Sequence, residues 1–250
     1  MTAFVDYARY YDLIYRDKDY AAEAGFILDQ LAAVDCRPTE ILELGCGTGR
    51  HAAEFAQRGC IVHGVDSSER MIGIARERLA SPRLRFEVGN IQTWRSAERF
   101  DAVLSLFHVI SYQKDYAELA AAVETAYFHL KPNGVFLFDF WYGPGVLTTP
   151  PSVRVKRIDG GDIELVRFAE PAHDANESRV VVDYSILVLD KKTRASSEFH
   201  ERHTVKYWFL PELDMVLSKA GFKIEHSGRW QSTEPLSIDS WYGYVIARKT

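Results

Sequence analysis

The chain has 250 residues, of which 47% are apolar and 26% are charged, and its formal net charge is −5 at pH 7. This composition is ordinary for a globular protein, and the length allows one large domain or one domain with an insertion. Because the chain has no block of lysine or arginine that could neutralise phosphates, we exclude nucleic acid as its main partner.

The cysteines and the apolar runs of the sequence indicate the cellular compartment in which the protein is expected. The chain has three cysteines, Cys36, Cys46 and Cys60. Their odd number, their wide spacing and the absence of a Cys-x-x-Cys pair argue against a disulfide framework and against a metal site. The first residues lack a basic segment followed by an apolar core, and no apolar run approaches ~18 residues. We therefore expect a cytoplasmic protein with no membrane partner.

The N-terminal part combines a tyrosine-rich segment with a helix. Tyrosines and aspartates crowd the stretch from Tyr7 to Tyr20. The residues that follow place apolar side chains on one face of a predicted helix, at Ala24, Ile27, Leu28, Leu31 and Ala32. Pro38 then ends the connection to the first strand.

A glycine-rich loop follows this strand. The run from Glu43 to Gly49 reads Glu-Leu-Gly-Cys-Gly-Thr-Gly and leads directly into a helix. Alternate glycines let the backbone approach a flat ligand, and the helix N-terminus can face a negative group. The dinucleotide fingerprint Gly-x-Gly-x-x-Gly needs a glycine where Arg50 stands, and the Gly-Lys-Ser/Thr end of a P-loop is absent. We interpret Cys46 as a small side chain that the loop tolerates.

The second strand ends at an acidic residue, Asp66. Its carboxylate can accept hydrogen bonds from both hydroxyls of a ribose. The alternative role for Asp66 is the N-cap of the following helix, but Ser67 or Ser68 can supply that cap. The sequence therefore favours a nucleoside ligand whose ribose lies at Asp66.

Strand and helix signals go on alternating along the chain. Strands are predicted at 84–88, 100–106 and 135–139, and a helix at 116–130 is ended by the Lys-Pro-Asn-Gly run that begins at Lys131. The carboxyl ends of parallel strands meet at one edge of a sheet, where ligands bind. Five segments are therefore expected to converge on one cleft, namely 45–49, 66, 89–91, 105–112 and 139–142.

The alternation is interrupted between Val146 and Phe209, where β-type runs separated by turn residues predict an inserted antiparallel meander. A helix at 211–217 and strands at 222–227 and 241–247 follow. We predict an α/β fold with a doubly wound, Rossmann-like, mostly parallel seven-stranded sheet. Residues 1–145 and 210–250 would form this ligand-binding domain, and 146–209 an antiparallel β insertion that covers the acceptor site.

The loop pattern Glu-x-Gly-x-Gly-x-Gly resembles motif I of the class I S-adenosylmethionine-dependent methyltransferases. The resemblance implies S-adenosyl-L-methionine as the cofactor, with the glycines making room for its methionine part and Glu43 facing its ammonium group. It also implies that Asn90, where the family more usually has aspartate, contacts the adenine amino group. The cofactor-binding residues implied in this way are Tyr15, Tyr20, Glu43, Gly45, Cys46, Gly47, Thr48, Gly49, Asp66, Ser67, Met71, Gly89, Asn90, Ile91, Leu106 and Phe107.

The chain resembles one subgroup more closely, the enzymes that dimethylate the amino group of nucleotide-linked deoxyamino sugars. The resemblance rests on the Tyr-Asp-Leu-Ile-Tyr run at 11–15, the Lys-Asp-Tyr run at 18–20, the glycine loop and the Ser-Leu-Phe-His-Val-Ile-Ser-Tyr run at 105–112. It implies that Tyr11, Tyr15 and Tyr20 close over the cofactor and that Tyr112 lies by the sugar. The alternative is a surface flap held by ring packing.

Three residues are predicted to be catalytic: His108, Tyr112 and Tyr11. His108 and Tyr112 are four residues apart and can both face the cleft from one helical turn. A histidine titrates near neutral pH and can accept a proton from an amine or a hydroxyl, or it can serve only as a hydrogen-bonding group. The insertion adds His200, Glu201, Arg202 and His203, whose charges can meet a nucleotide diphosphate or form a solvated strand face.

We predict a methyltransferase that acts on a small-molecule acceptor, with the amino group of a nucleotide sugar as the leading choice. The alternatives are an O-methyltransferase, another small-amine N-methyltransferase and a non-catalytic S-adenosylmethionine-binding module. A nicotinamide oxidoreductase is opposed by the missing third glycine. The oligomeric state is left open, with a homodimer among the possibilities.

Overall fold

The computed structural model describes residues 7–79 and 81–250. Its helices are α1 (Tyr11–Ile14), α2 (Tyr20–Ala33), α3 (Arg50–Gln57), α4 (Glu69–Arg78), α5 (Tyr116–His129), α6 (Gly143–Thr148) and α7 (Leu210–Lys219). Its strands are β1 (Glu40–Leu44), β2 (Ile61–Asp66), β3 (Leu84–Val88), β4 (Phe100–Ser105), β5 (Leu130–Trp141), β6 (Arg154–Asp159), β7 (Ile163–Asp174), β8 (Arg179–Asp190), β9 (Ser196–Lys206), β10 (Phe222–Arg229) and β11 (Tyr242–Lys249).

The chain divides into two compact units. The larger one contains Asp19–Thr149 and Lys206–Thr250, and the smaller one contains Pro150–Val205 together with the N-terminal segment that ends at Lys18. In the described part of that segment, Ile14 is fully buried against the apolar side chains of the antiparallel sheet. Residues 7–18 thus pack with the smaller unit, whereas the predicted boundaries grouped them with residues 19–145.

The larger unit is built on a seven-stranded sheet with the strand order β10-β11-β5-β4-β1-β2-β3. The strands β1 to β5 pair in parallel with their neighbours, whereas β11 pairs antiparallel with both β5 and β10. The predicted doubly wound, mostly parallel sheet is thus confirmed. The chain runs outward in both directions from the β1 and β4 pair, so the crevice at their carboxyl ends is the ligand site that this topology provides.

Alternate residues of the parallel strands pack on opposite faces of the sheet. On one face, Leu42 and Phe138 belong to a buried apolar cluster with side chains of α5 and α7. On the other face, Ile41 and Leu137 pack with side chains of α2 and α3. Burial on both faces explains why β1 and β5 read as continuous apolar runs in the sequence.

Some element boundaries differ from the predictions. The strand β5 begins at Leu130 directly after α5, so the Lys-Pro-Asn-Gly run lies within it. Leu130 pairs with Phe100 of β4 before the register shifts, and Lys131 is anchored by ion pairs to Glu40 and Asp101, both at 2.7 Å. Helix α6 was not predicted, because its Gly-Pro-Gly start is typical of a turn.

The smaller unit contains a four-stranded antiparallel sheet with the order β6-β7-β8-β9, which confirms the predicted meander. Tyr11 and Tyr15 lie beside it, with their ring centroids 4.8 Å apart and the hydroxyl of Tyr15 accepting a hydrogen bond of 3.2 Å from Arg167. None of the helices at residues 7–79 and 81–250 combines the length and apolar character that crossing a membrane requires.

Candidate functional site

The loop after β1 bends through three left-handed glycines. Gly45, Gly47 and Gly49 have φ angles of 79°, 54° and 76°, a region that other residues avoid. A Cβ atom on Gly45 would lie 2.5 Å from a methyl carbon of Val109, whereas one on Gly47 would meet nothing within 4 Å. The loop is fixed to β2 because the N–H groups of Gly45 and Cys46 donate to the Val65 carbonyl, at 2.7 and 3.1 Å.

Asp66 connects this loop to the start of α4. One carboxylate oxygen accepts a hydrogen bond from the N–H of Gly47 and the other accepts one from the N–H of Ser68, both at 2.9 Å. The hydroxyl of Ser68 accepts from the N–H of Met71 at 3.3 Å and caps the helix, so Asp66 is not the cap. A carboxylate has about four acceptor positions, which leaves Asp66 capacity for two further donors.

Glu43 is a buried acid under the glycine loop. It is 1% exposed, and its Oε2 atom has no hydrogen-bond partner among the described residues. Burial, reinforced by the negative charge of Asp66, raises the pKa of Glu43 to about 8. A buried carboxyl oxygen without a partner is costly, and a ligand cation that reaches it would relieve that cost.

Glu43 is the last member of a row of buried polar side chains. The Nδ1 atom of His51 lies 3.8 Å from Glu43 Oε1, and its Nε2 atom lies 2.7 Å from Glu23 Oε2. Tyr20 packs edge-on against the ring of His51 at 4.8 Å, and the guanidinium of Arg50 lies 4.6 Å from the Tyr20 ring centre. Tyr20 therefore lies beside the residues that follow the loop, and its closure over the cofactor stays a prediction. Glu23 and His51 are members of the site region that the sequence did not single out.

The segment after β3 turns sharply next to Asp66. The N–H of Gly89 donates to the Asp66 carbonyl at 2.9 Å, and a Cβ atom on Gly89 would lie 2.5 Å from Trp94. Asn90 is exposed, and its side-chain oxygen accepts a hydrogen bond of 2.8 Å from the N–H of Gln92, whereas Ile91 is buried. One lone pair of the Asn90 oxygen is thus engaged in its own turn and one is left for a ligand.

The segment after β4 carries a histidine in a strained conformation. Phe107 and His108 have φ angles of 64° and 65°, which is unusual for residues with side chains. Leu106 is buried and precedes them, and a 3-10 helix from Val109 to Tyr112 follows. His108 stands directly before this 3-10 helix and Tyr112 ends it, and a 3-10 helix has three residues per turn, so the two side chains are not one α-helical turn apart. That both of them face the cleft stays a prediction.

Asp139, at the carboxyl end of β5, lies directly against His108. Its Oδ2 atom is 2.6 Å from the Nδ1 atom of His108, outside the angles of a regular hydrogen bond, and both carboxylate oxygens are 3.1 Å from the backbone N of His108. The ring of Tyr242 stacks on the His108 ring at 4.5 Å and 10°. The sequence signal for Asp139 was a charged residue closing a buried apolar strand, whereas Tyr242 had none.

The other predicted residues have the following surroundings. Thr48 and Met71 are buried, Ser67 is exposed, and Tyr11 and Tyr15 lie in the smaller unit. In the insertion, Arg202 forms a two-pronged ion pair with Asp183, and His203 Nε2 lies 3.0 Å from Glu201. These charges are thus engaged with neighbours of their own sheet.

Comparison with known proteins identifies the family. A family model for methyltransferase domains matches residues 41–134, which include the glycine loop, Asp66 and His108. The dTDP-3-amino-3,4,6-trideoxy-alpha-D-glucopyranose N,N-dimethyltransferase of Streptomyces venezuelae is 32% identical over 225 residues, which cover 89% of this chain and 92% of that protein. The chain belongs to the S-adenosylmethionine-dependent methyltransferases.

Two solved structures resemble the methyltransferase along its whole length. DesVI from Streptomyces venezuelae has a TM-score of 0.82 at 26% identity, with 98% of this chain and 99% of DesVI covered. CalS10 from Micromonospora echinaspora, an amino pentose methyltransferase solved with S-adenosylmethionine bound, has a TM-score of 0.78 at 25% identity, with 100% and 99% covered. The cofactor of this methyltransferase is S-adenosyl-L-methionine, and the unpartnered Glu43 oxygen and the glycine cradle fit a ligand with a cationic, amino-acid end.

Proposed function

We propose that this methyltransferase transfers methyl groups from S-adenosylmethionine to the amino group of a nucleotide-linked amino sugar. The observation that carries the proposal is the extent of the similarity to the Streptomyces venezuelae N,N-dimethyltransferase. That similarity covers 89% of the chain, whereas the general methyltransferase-domain match stops at residue 134. It therefore includes most of the chain outside the cofactor-binding segments, where acceptor specificity is expected to reside.

The side chains of the larger unit are assigned the following roles. Glu43 faces the ammonium group of the cofactor, the three loop glycines seat its methionine part, and Asp66 accepts hydrogen bonds from its ribose. Asn90 and the N–H of Ile91 contact the adenine. When bound, the cofactor would supply an electrophilic methyl group on a sulfonium, from which sulfur departs as a neutral thioether. Phe107 and Trp141 offer aromatic faces, which stabilise cations of this kind.

His108 is assigned to the acceptor side of the reaction. The acceptor amine must be neutral to attack, with its lone pair forming the new C–N bond while the C–S bond breaks. The methylated amine is then a cation, and His108 can take up its proton and make it ready for a second transfer. Positioning of the amine contributes more than base strength, because a neutral amine is already a competent nucleophile.

The pair of His108 and Asp139 also supports a second candidate function, an O-methyltransferase. An alcohol must lose its proton as it attacks, and a histidine backed by a buried carboxylate is suited to accept it. The two candidates differ in what the acceptor carries at the reacting position, so a matched pair of substrates separates them.

Turnover of matched substrates tests the proposal. The purified protein is incubated with S-adenosylmethionine and with a dTDP-linked amino sugar, or with the same sugar nucleotide carrying hydroxyl in place of the amino group. We expect turnover of the amino sugar and none of the hydroxyl analogue. Turnover is seen as S-adenosylhomocysteine formation and, by mass spectrometry, as a product with one or two added methyl groups. Turnover of only the hydroxyl analogue would favour the O-methyltransferase. Tight cofactor binding without turnover of either class would contradict both.

A further inference from the structure

Asp139 is a buried carboxylate in an otherwise apolar stretch of β5. Asp139 is 0% exposed, and its chain neighbours Phe138 and Phe140 are fully buried as well. A charged group in such a place is unfavourable unless its neighbours compensate it. The backbone N–H of His108 donates to this carboxylate, at 3.1 Å to each oxygen.

The same carboxylate reaches the imidazole ring of His108. Oδ2 lies 2.6 Å from Nδ1, so one acid contacts both the backbone and the ring of one residue. The hydrogen bond to the His108 N–H also stabilises the left-handed backbone of His108, whose φ of 65° a histidine seldom adopts. Asp139 thus holds the His108 backbone in place and lies at one of its two ring nitrogens.

Aromatic rings fix the plane of the imidazole. Tyr242 from β11 stacks on it at 4.5 Å with only 10° between the planes, and Trp141 from β5 lies edge-on with the ring centres 6.5 Å apart. Phe107 contacts it from the same segment at 5.3 Å. Of these contacting groups, Asp139 is the one with an acidic side chain, and it lies at Nδ1.

We infer that Asp139 is a positioning residue, which holds His108 with its proton on Nδ1 and thereby leaves the lone pair of Nε2 available to the acceptor. A carboxylate 2.6 Å from Nδ1 favours a proton on that nitrogen. Only a nitrogen without a proton can take one from the methylated amine or from an alcohol. The inference rests on the proposed function for its catalytic consequence, but the protonation pattern of His108 can be measured without any acceptor.

The first test measures the protonation pattern directly. Nitrogen-15 NMR of ring-labelled histidines, recorded at alkaline pH, distinguishes a protonated Nδ1 from a protonated Nε2. The signals of His108 among the 8 histidines are identified by their loss in His108→Gln. We expect the proton on Nδ1 in the native protein and a shift toward Nε2 in Asp139→Asn. A native His108 that carries its proton on Nε2 would overturn the inference, even if Asp139→Asn failed to fold.

The second test asks whether Asp139 acts through His108. With an acceptor that is turned over, Asp139→Asn should lower kcat roughly 10²-fold, the low end of the effect of a positioned base. Its affinity for S-adenosylhomocysteine, measured by calorimetry, should change less than about 3-fold. In a His108→Gln background the same Asp139→Asn change should have almost no further effect. An equal loss of kcat in both backgrounds would show a purely structural role and would overturn the inference.

Failure of the proposed function is distinguishable from failure of this inference. If no amino sugar is turned over, the NMR result still decides where the proton of His108 resides. If amino sugars are turned over but Asp139→Asn keeps native kcat, the proposed function stands and the role of Asp139 is rejected.

Discussion

Glu43 is the residue whose charge is most directly linked to cofactor binding. With a pKa raised to about 8 by burial and by Asp66, it is mostly protonated at neutral pH in the cofactor-free protein. The ionised form is the one that attracts the cationic end of S-adenosylmethionine. Binding near pH 7 should therefore release a proton from Glu43, and affinity should rise as the pH increases from 6 to about 8.

Calorimetry in two buffers with different ionisation enthalpies measures this proton release. Glu43→Gln is the matched control, because the amide keeps the shape of the side chain and cannot ionise. The variant should bind the cofactor more weakly and with a smaller dependence on pH, the remainder coming from the cofactor's own ammonium group. An identical pH dependence in the two proteins would remove Glu43 from the cofactor site.

Asp66 has two tasks, which one substitution should affect together. Asp66→Ala removes the proposed ribose contact, so cofactor affinity should fall by roughly 1–3 kcal/mol, the range for hydrogen bonds to a charged group. The same change also deprives the N–H groups of Gly47 and Ser68 of their acceptor, so the melting temperature should fall as well. Glu69→Gln, at an exposed neighbouring position, is the control and should change cofactor affinity little.

At the scale of elements, the glycine loop requires glycine for two different reasons, a left-handed backbone and a lack of space for a side chain. Gly45 and Gly47 both have a positive φ, but only at Gly45 would a methyl group collide with Val109. Gly47→Ala should lower the free energy of unfolding by about 1–2 kcal/mol for the left-handed backbone alone. Gly45→Ala should lower the free energy of unfolding by a further ~1–3 kcal/mol, because the new methyl group overpacks against Val109.

Urea denaturation of the two variants measures this difference. In the Gly45→Ala protein, the additional change Val109→Ala should restore part of the lost stability by making room for the new methyl group. The crowding explanation fails if both glycine variants lose the same free energy, or if Val109→Ala merely adds its own loss.

At the scale of the whole molecule, buried neutral histidines couple folding to pH. His129 is fully buried, its Nε2 accepts a hydrogen bond from the N–H of Ser96 at 3.0 Å, and its Nδ1 lies 2.8 Å from the Thr125 carbonyl oxygen. Both ring nitrogens are engaged by the neutral form, and burial lowers the pKa of His129. An unfolded histidine takes up a proton near pH 6.5, so His129 destabilises the folded protein increasingly as the pH falls below that value.

The expected slope is at most about 1.4 kcal/mol of unfolding free energy per pH unit for this one group. Glu43 has the opposite effect on the pH dependence of stability, because its raised pKa keeps a proton on the folded protein that the unfolded protein has lost. The effect of His129 is therefore isolated by comparing the native protein with a His129 variant, since Glu43 is present in both. The stability advantage of the native protein over His129→Gln, from urea denaturation, should shrink between pH 8 and pH 5. A constant difference would mean that the pKa of His129 is the same in the folded and the unfolded protein, which would contradict the prediction.

The sequence by itself determined the parallel sheet, the glycine loop and the acid at Asp66. These features depend on local requirements that a single stretch of chain displays: apolar runs buried on both faces, positive φ angles that only glycine adopts readily, and a carboxylate at a strand end. The 3-10 helix from Val109 to Tyr112 and the strand extension at Leu130 were not predicted, because a few residues of irregular backbone leave no periodic pattern.

Only the tertiary structure decided which side chains meet. The contacts of His108 with Asp139 and Tyr242 join the segment after β4, the carboxyl end of β5 and the start of β11, and no spacing in the sequence encodes that these three places are neighbours. The same holds for residues 7–18, whose apolar side chains suit any buried surface, and only the tertiary structure shows that they pack in the smaller unit. A sequence states which groups need burial or a partner, but the order of strands in the sheet selects the partner, because it brings together residues that are far apart in the chain.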